Sequence, residues 1–155
     1  MSPHRQVLTA LVRGHGWTCG AELGVDKGVL FGMLLKECPG LHLIGVDLFP
    51  DRLRSHRAFD YAAQFSDRAR LIEGDTVAAA ALVEDGSLDF VFIDADHSYE
   101  AVRRDIDAWR SKVKPGGWLG GHDYNRKFPG VIRAVDFAFG KRVYTLPGSI
   151  WSVAA

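Results

Sequence analysis

Residues 88–99 read Leu-Asp-Phe-Val-Phe-Ile-Asp-Ala-Asp-His-Ser-Tyr and join an apolar strand to a polar end. The first six are dominated by Phe, Val and Ile, in a run too short and too β-branched for a core helix. Asp94, Asp96 and His97 follow at the carboxyl end of that strand. Ligands of open α/β sheets bind beyond the carboxyl ends of the strands, so this segment is a candidate reaction centre. The alternative is that the aspartates only cap the following helix, since Asp and Ser are favoured N-cap residues.

The rest of the chain alternates between the patterns of helices and strands. Helical spacing of apolar residues predicts helices over residues 7–12, 29–35, 53–65, 77–83, 99–113 and 131–139. Apolar runs bounded by turn residues predict strands over residues 17–23, 41–46, 70–73, 88–93, 118–121, 142–146 and 149–153. The long helix over residues 99–113 has one apolar face, and we expect Arg103, Arg104 and Asp105 to lie off that face.

Five strand–helix alternations predict a parallel sheet with helices on both faces. A sharp turn is expected at residues 114–117, and only Pro147 and Gly148 separate the last two strands, which should pair antiparallel. We therefore predict a single domain over residues 1–155 of the α/β class. Its architecture is a doubly wound, Rossmann-like, mostly parallel seven-stranded sheet with an antiparallel C-terminal hairpin.

The composition excludes several classes of function. Lys plus Arg equals Asp plus Glu at 19 each, so no global field favours nucleic acid or an acidic membrane surface. Two cysteines, Cys19 and Cys38, make neither a disulfide framework nor a CxxC metal site, and we expect reduced thiols. No apolar run approaches the ~18 residues of a membrane span, and the N-terminus lacks the apolar core of a signal peptide. These features predict a cytoplasmic protein with no nucleic-acid or membrane partner.

Polar or glycine-rich residues follow every one of the five predicted parallel strands. They are Glu22 to Gly28, then Asp47, then Gly74 to Thr76, then Asp94, Asp96 and His97, and last His122 and Asp123. In a doubly wound sheet these ends meet at one edge. Each group alone could consist of caps and turn residues. Together they predict one binding cleft.

The loop after the first strand suggests the kind of ligand. Gly24 and Gly28 would let the backbone approach a ligand at a helix N-terminus, although their spacing is not the GxGxxG of dinucleotide folds. An acidic Glu22 ahead of the loop suits a cationic amine better than a pyrophosphate. Asp47, some twenty residues on, is placed to accept hydrogen bonds from the two hydroxyls of a ribose. These residues favour a ligand with a ribose, an adenine and a positively charged end.

The motif Glu22-x-Gly24-x-x-x-Gly28, Asp47, Gly74-Asp75 and the run Phe-Ile-Asp-Ala-Asp-His-Ser-Tyr at 92–99 resemble a class I S-adenosylmethionine-dependent methyltransferase. Residues 114–118 (Lys-Pro-Gly-Gly-Trp) and 121–124 (Gly-His-Asp-Tyr) strengthen the match. The most similar subgroup is the small bacterial methyltransferase-24-like proteins, which are similar to macrolide-sugar and catechol O-methyltransferases. The resemblance covers the chain from Thr18 onward. It departs at Asp26, where the wider superfamily usually has glycine.

The resemblance implies a role for each matching residue. Glu22 and the backbone around Gly24 would hold the methionine amine and carboxylate, Asp47 the ribose, and Leu48 would lie beside the adenine. Residues 74–76 would face the adenine ring, and Asp94 would lie beside the methionine moiety and the transferred methyl group. The implied cofactor residues are Glu22, Gly24, Val25, Gly28, Asp47, Leu48, Gly74, Asp75, Thr76 and Asp94.

Methyl transfer also needs a group that takes a proton from the acceptor. His97, with an ordinary pKa of about 6.5, is the natural base and His122 the second candidate, beside Asp94 as the third catalytic residue. The alternative for each histidine is that it only ties neighbouring loops together. Related sugar and catechol methyltransferases bind magnesium at positions that match Asp94 (or Asp96), His122 and Asp123. We therefore predict a divalent cation, Mg²⁺ or Mn²⁺, on Asp94, His122 and Asp123, although a histidine favours manganese, iron or zinc.

The predicted function is methyl transfer from S-adenosylmethionine to a small-molecule or sugar acceptor at oxygen. One alternative is a metal-dependent oxygenase similar to cephalosporin hydroxylase, which shares the fold and the Asp/His edge. Another is a non-catalytic cofactor-binding or interaction subunit. We expect the acceptor to be covered by the loop at residues 124–130 or by a partner subunit. A homo-oligomer is therefore one of the expected alternatives.

Overall fold

The computed structural model of the protein describes residues 2–154, in which helices and strands alternate as predicted. The strands are β1 Cys19–Leu23, β2 His42–Asp47, β3 Ala69–Glu73, β4 Leu88–Ile93, β5 Val113–Gly121, β6 Tyr144–Leu146 and β7 Ile150–Ala154. The helices are α1 Pro3–His15, α2 Val29–Glu37, α3 His56–Gln64, α4 Thr76–Ala80, α5 Tyr99–Trp109 and α6 Pro129–Phe139. Short 3-10 turns follow α5 and α6, at Arg110–Lys112 and Gly140–Arg142.

All seven strands belong to one sheet, in the order β3-β2-β1-β4-β5-β7-β6. Strands β1 to β5 run parallel, and β7 lies antiparallel between β5 and β6. The predicted doubly wound sheet with its antiparallel hairpin is confirmed. The strand order reverses direction at β1 and β4, and ligands of such sheets bind beside that point.

The central strand β4 divides the core between the two faces of the sheet. Its side chains alternate, so Val91 and Ile93 join one cluster with helices α5 and α6, while Phe90 and Phe92 join another with α1, α2 and α3. All residues of β4 except Asp89 are buried, which explains the apolar run from Phe90 to Ile93. No helix among residues 2–154 is long and apolar enough to cross a membrane.

Several predicted boundaries are wrong. The long helix predicted over residues 99–113 ends at Trp109, the helix predicted over 77–83 ends at Ala80, and β6 begins at Tyr144 instead of residue 142. Strand β5 begins at Val113, so the glycines predicted as a turn lie inside the strand. Leu88 pairs with Val113 but Phe90 with Trp118, and the extra residues of β5 form a bulge at which Gly116 has φ 78°. Helix α3 begins at His56 because the chain ahead of it forms a separate turn closed by the carboxylate of Asp51 on the amide of Arg54, 3.0 Å.

Candidate active site

A cleft of about 710 Å³ lies at the carboxyl edge of the sheet, where β1, β2 and β4 meet their following loops. The sequence-predicted residues that line it are Glu22, Gly24, Val25, Asp47, Leu48, Gly74, Asp75, Thr76, Asp94, His97 and Asp123. His122 lies beside the cleft and contacts Asp94, whereas Gly28 lies outside the lining. The loops after all five parallel strands therefore meet at this edge, as the sequence indicates.

The two glycines of the β1–α2 loop are required by close packing of the chain on itself. Gly24 has φ 89°, and a Cβ there would lie 2.1 Å from the carbonyl oxygen of Asp94. Gly28 has φ 73°, and a Cβ there would lie 2.6 Å from the Cα of Ala58 in α3. The packing accounts for both glycines without a ligand, so their predicted contact with a cofactor stays a prediction.

Asp47 ends β2 and fixes the loop beside it. Its Oδ2 accepts a hydrogen bond from the amide of Asp26 at 2.8 Å and its Oδ1 one from the amide of Phe49 at 2.9 Å. Each carboxylate oxygen can accept more than one hydrogen bond, so Asp47 keeps acceptor capacity toward the cleft. The carboxylate is therefore held in place by backbone before any ligand arrives.

Asp26, the residue that departs from the family pattern, forms an ion pair with Arg54 at the mouth of the cleft. Two nitrogens of the Arg54 guanidinium donate to the Asp26 carboxylate, with Nε 2.5 Å from Oδ1 and Nη2 2.9 Å from Oδ2. The hydrogen bond from Arg54 lowers the pKa of Asp26 below its ordinary value. Asp26 adopts φ 48°, so this non-glycine residue takes the left-handed conformation and connects the loop to the segment before α3.

At one end of the cleft, Thr76 connects the loop after β3 to helix α5. Its hydroxyl donates to Asp105, and its carbonyl accepts from the indole of Trp109 at 2.8 Å. The expectation that Asp105 lies off the apolar face of α5 is wrong, since Asp105 is only 2% exposed. Burial raises the pKa of Asp105 to about 6. Asp75 caps α4 by accepting from the amide of Ala78, 3.0 Å.

Glu22 and Arg5 carry buried polar atoms without a hydrogen-bond partner within residues 2–154. Glu22 is 2% exposed, and its Oε2 has no hydrogen-bond partner among the described residues. The same holds for the Nε of Arg5, which comes from α1 and also lines the cleft. Burial raises the pKa of Glu22 well above its ordinary value, and the negative charges of Asp94 and Asp47 add to the shift. Sequence reasoning missed Arg5, because the periodicity of α1 reports only its apolar face.

Beside Glu22, two carboxylates and three imidazoles lie close together. His97 Nε2 is 2.7 Å from Asp123 Oδ2 and 3.9 Å from Asp94 Oδ1. His122 Nδ1 is 3.3 Å from Asp94 Oδ1 and also 3.3 Å from Asp123 Oδ1. The structure thus brings together the predicted catalytic residues Asp94, His97 and His122 and the predicted metal ligands Asp94, His122 and Asp123.

The fifth member of the cluster, His4, was not predicted. It is the second residue of α1, and its ring centroid lies 4.0 Å from that of His122. Its backbone is held by the β6–β7 turn, where a Cβ on Gly148 would lie 2.5 Å from His4 N. Burial, with the neighbouring His122, lowers the pKa of His4 below its ordinary value.

His122 and His97 have different neighbours. Burial by itself would lower the pKa of His122, but the hydrogen bond and charge of Asp94, together with the charge of Asp123, outweigh it and raise that pKa. His97 stacks on Phe128 of the loop after β5, with ring centroids 4.5 Å apart. The loop that we expected to cover the acceptor therefore lies directly against the candidate base.

Comparison with known proteins places this chain among the methyltransferase domains. The model of a family described as "Methyltransferase domain", the methyltransferase-24 family, matches residues 21–124. The O-methyltransferase from Bacillus cereus, solved in complex with SAH, has a TM-score of 0.76 at 20% identity and covers 100% of this chain and 82% of its own. The O-methyltransferase TomG from Streptomyces achromogenes, solved in complex with SAM, has a TM-score of 0.77 at 14% identity. The match covers 99% of this chain and 80% of TomG.

A third solved structure is CalS11, a TDP-rhamnose 3′-O-methyltransferase of calicheamicin biosynthesis. Its TM-score is 0.76 at 19% identity, and the match covers 97% of this chain and 78% of that one. No protein of curated function matches the sequence of this chain. At these identities the structural likenesses confirm the fold.

Proposed function

Because the chain belongs to the methyltransferase-24 family of methyltransferase domains, we propose that it transfers the methyl group of S-adenosylmethionine (SAM) to an oxygen of a small-molecule or sugar acceptor. The predicted family is confirmed, and the class of acceptor is the part that we propose. The single observation that carries the choice of SAM is the buried carboxylate of Glu22 with an unpaired oxygen at the cleft. CalS11, which methylates a nucleotide sugar, and TomG support an oxygen acceptor.

The amino-acid end of SAM fits the unpaired atoms of Glu22 and Arg5. A buried polar group without a partner costs about 1–3 kcal/mol, and a ligand that supplies the partner removes that cost. The ammonium of the methionine moiety would bind the Glu22 carboxylate, and the carboxylate of the same moiety would bind the Arg5 guanidinium. The ammonium would favour the ionised form of Glu22, and an ionised Glu22 and the Arg5 guanidinium carry the opposite charges that a zwitterion requires.

The adenosine end fits the residues that follow β2 and β3. Asp47, already fixed by two backbone amides, would accept hydrogen bonds from the ribose hydroxyls. The side chain of Leu48 is 65% exposed beside the cleft and would cover the adenine. Gly74, Asp75 and Thr76 line the opposite wall. SAM supplies an electrophilic methyl group on its sulfonium when bound.

We assign His97 as the base that takes the acceptor's proton. Asp123 lies 2.7 Å from its Nε2 and would orient the ring and stabilise the imidazolium that forms. The stacked Phe128 fixes the plane of the same ring. Asp94 would lie between the methionine moiety and the pair formed by His97 and Asp123. Methyl transfer needs the acceptor oxygen about 3 Å from the reacting carbon, and this arrangement would place the oxygen between the base and the methyl group.

The predicted divalent cation would be held at the same place, with Asp94 and His122 as two of its predicted ligands. The Oδ1 atoms of Asp94 and Asp123 each lie 3.3 Å from His122 Nδ1. Within residues 2–154, the groups whose three donor atoms all lie within 4.8 Å of one another are His4, Asp94 and His122, and Asp94, His97 and Asp123. The predicted third ligand, Asp123, therefore groups with His97 instead of His122. An ion there would polarise the acceptor oxygen and lower the pKa of the acceptor hydroxyl.

The free thiols Cys19 and Cys38 and the balanced charge support a cytoplasmic enzyme that acts on small molecules.

One observation favours the oxygenase as a second candidate. His4, Asp94 and His122 form a group of two imidazoles and one carboxylate, the donor set of non-haem iron oxygenases. Turnover of 2-oxoglutarate with Fe²⁺ would support the oxygenase, whereas methyl transfer without it would exclude this candidate.

The first test is calorimetric titration of SAM and its demethylated product into protein stripped of metal by a chelator. We expect micromolar binding, weakened about 10- to 100-fold in Asp47→Ala through the loss of the ribose hydrogen bonds. Asp60→Ala, an exposed aspartate of α3, is the matched control and should bind like the wild type. A panel of catechols and deoxysugars with methyl-labelled SAM then identifies the acceptor. Absence of SAM binding in the wild type would overturn the proposal.

A further inference from the structure

We propose that His4 is a metal ligand, and that His4, Asp94 and His122 together bind one divalent transition-metal ion in preference to Mg²⁺. The ion would serve the methyl transfer, so in its purpose this inference rests on the proposed function. The binding of the ion itself does not depend on SAM. What is new is the third ligand, contributed by helix α1, and the class of metal that it selects.

The distances fit a single ion. One donor atom from each of the three residues lies within 4.8 Å of the other two, and the Asp94 Oδ1 to His122 Nδ1 distance is 3.3 Å. Two ligands at about 2.1 Å from a metal lie about 3 Å apart when adjacent and about 4 Å apart when opposite. Small side-chain movements therefore bring all three donors onto one ion.

The donor chemistry selects the class of metal. Mg²⁺ prefers oxygen ligands and retains several waters, whereas imidazole nitrogen suits iron, nickel, copper and zinc, and the affinity of a site with nitrogen and oxygen donors rises from Mn²⁺ along the first transition series. Two imidazoles with one carboxylate leave open coordination positions for an acceptor oxygen. The carboxylates of Asp94 and Asp123 both lie 3.3 Å from His122, so a cation also offsets their negative charge.

His4 is better placed than Asp123 to be the third ligand. Asp123 is engaged with His97 at 2.7 Å, whereas the imidazole of His4 contacts His122. Gly148 holds the His4 backbone against the β6–β7 turn, so the ring is delivered by a packed helix end. A competing set, Asp94, His97 and Asp123, exists in the same cluster and must be separated by experiment.

The test uses the full chain, stripped of metal, and Mn²⁺ followed by electron paramagnetic resonance. We expect one bound Mn²⁺ per chain that a hundredfold excess of Mg²⁺ does not displace, with imidazole nitrogen couplings in the spin-echo spectrum. His4→Ala and His4→Gln should weaken Mn²⁺ binding at least tenfold and remove one nitrogen coupling. His15→Ala, at the other end of α1, should bind Mn²⁺ like the wild type. Asp123→Asn should change the affinity less than either His4 variant.

Several outcomes would overturn the inference. They are absence of Mn²⁺ binding, displacement by an equal concentration of Mg²⁺, unchanged Mn²⁺ binding in both folded His4 variants, or a larger loss in Asp123→Asn than in His4→Gln. Circular dichroism checks that each variant folds, and His4→Gln preserves much of the side-chain volume if His4→Ala does not. SAM titration of the same metal-free samples is independent. Protein that binds SAM but no Mn²⁺ refutes the metal site alone, and protein that binds Mn²⁺ but no SAM refutes the methyltransferase proposal alone.

Discussion

The two edges of the sheet use the same residue types in opposite ways. At the amino edge, Asp89 accepts hydrogen bonds from the amides of Thr18 and Cys19 at 2.8 and 2.9 Å and from Lys114 Nζ at 2.8 Å. At the carboxyl edge, Glu22 is more deeply buried, yet one of its oxygens has no partner within residues 2–154. Charged groups that the chain satisfies stabilise the fold. Those that it leaves unsatisfied at a cleft are available to a ligand.

The largest effect should follow from a change at the carboxyl edge. His97→Ala removes the proposed base, and we expect kcat for the acceptor found in the panel to fall by about 10²- to 10⁴-fold. His42→Ala is the matched control, since His42 begins β2 at the amino edge and is exposed. Initial rates of methyl transfer at saturating SAM measure both variants. Equal activity of His97→Ala and wild type would remove His97 from the chemistry.

Asp123→Asn tests whether Asp123 acts by orienting His97, because the variant keeps the proposed base and changes only its partner. The amide keeps the size of the carboxylate but not its negative charge, so it should lower kcat less than His97→Ala and change the pH–rate profile. Its effect in the His97→Ala background should be small, because a positioning residue has nothing left to position. Additive losses would indicate that the two side chains act separately.

The next effect belongs to the amino edge and concerns stability. Arg68 donates to the carbonyl oxygens of Leu35, Cys38 and Leu41, which lie in the last turn of α2 and in the connection from α2 to β2. Arg68→Ala leaves these carbonyls without their charged donor, and we expect the free energy of unfolding to fall by about 2–3 kcal/mol. Urea denaturation measures the change. Arg70→Ala, an exposed neighbour, is the control.

SAM affinity should depend on residues at the carboxyl edge of the sheet and not on residues at the amino edge. Folded Arg68→Ala should bind SAM like the wild type, because the side chain lies at the opposite end of the strands from the cleft. A marked loss of affinity in the folded variant would contradict the division of the sheet into a structural and a binding edge.

The fold and much of the cleft could be predicted because their signals are local. The alternation of helix and strand patterns indicates a parallel sheet, and parallel strands bring the residues that follow them, such as Asp47 and Asp94, to one edge. A residue's position directly after a strand is readable from sequence. Contact between the loops then follows from topology alone.

The contributions of α1 could not be predicted for the opposite reason. His4 meets His122 through packing of the first helix against the last hairpin, a contact between distant parts of the chain that no local pattern encodes. Asp105 was misplaced because periodicity assigns a charged side chain to the solvent face, whereas the Thr76 hydroxyl satisfies it inside. Gly28 illustrates a third limit, since a glycine needed for packing against Ala58 looks the same in sequence as one needed by a ligand.

The smallest effect, and the one most specific to the comparison, is a gain in stability. Glu22→Gln removes a buried carboxyl group whose pKa is raised by burial. We therefore expect the free energy of unfolding of the variant to be about 1 kcal/mol higher than that of the wild type at pH 7. Below the ordinary pKa of a glutamate both forms of residue 22 are neutral, and the advantage should vanish. It should grow as pH rises, because the unfolded wild type releases the proton at a lower pH than the folded protein does.

The same variant should bind SAM more weakly, since the amide cannot pair with the methionine ammonium as a carboxylate does. Stability gained together with affinity lost is what a residue kept for binding predicts. Urea unfolding at pH 4 and pH 7, with SAM calorimetry, measures both, and Glu84→Gln, an exposed glutamate, is the control. If Glu22→Gln lowers stability at pH 7 while SAM affinity is unchanged, Glu22 is a structural residue like Asp89, and the contrast between the two edges fails at its clearest point.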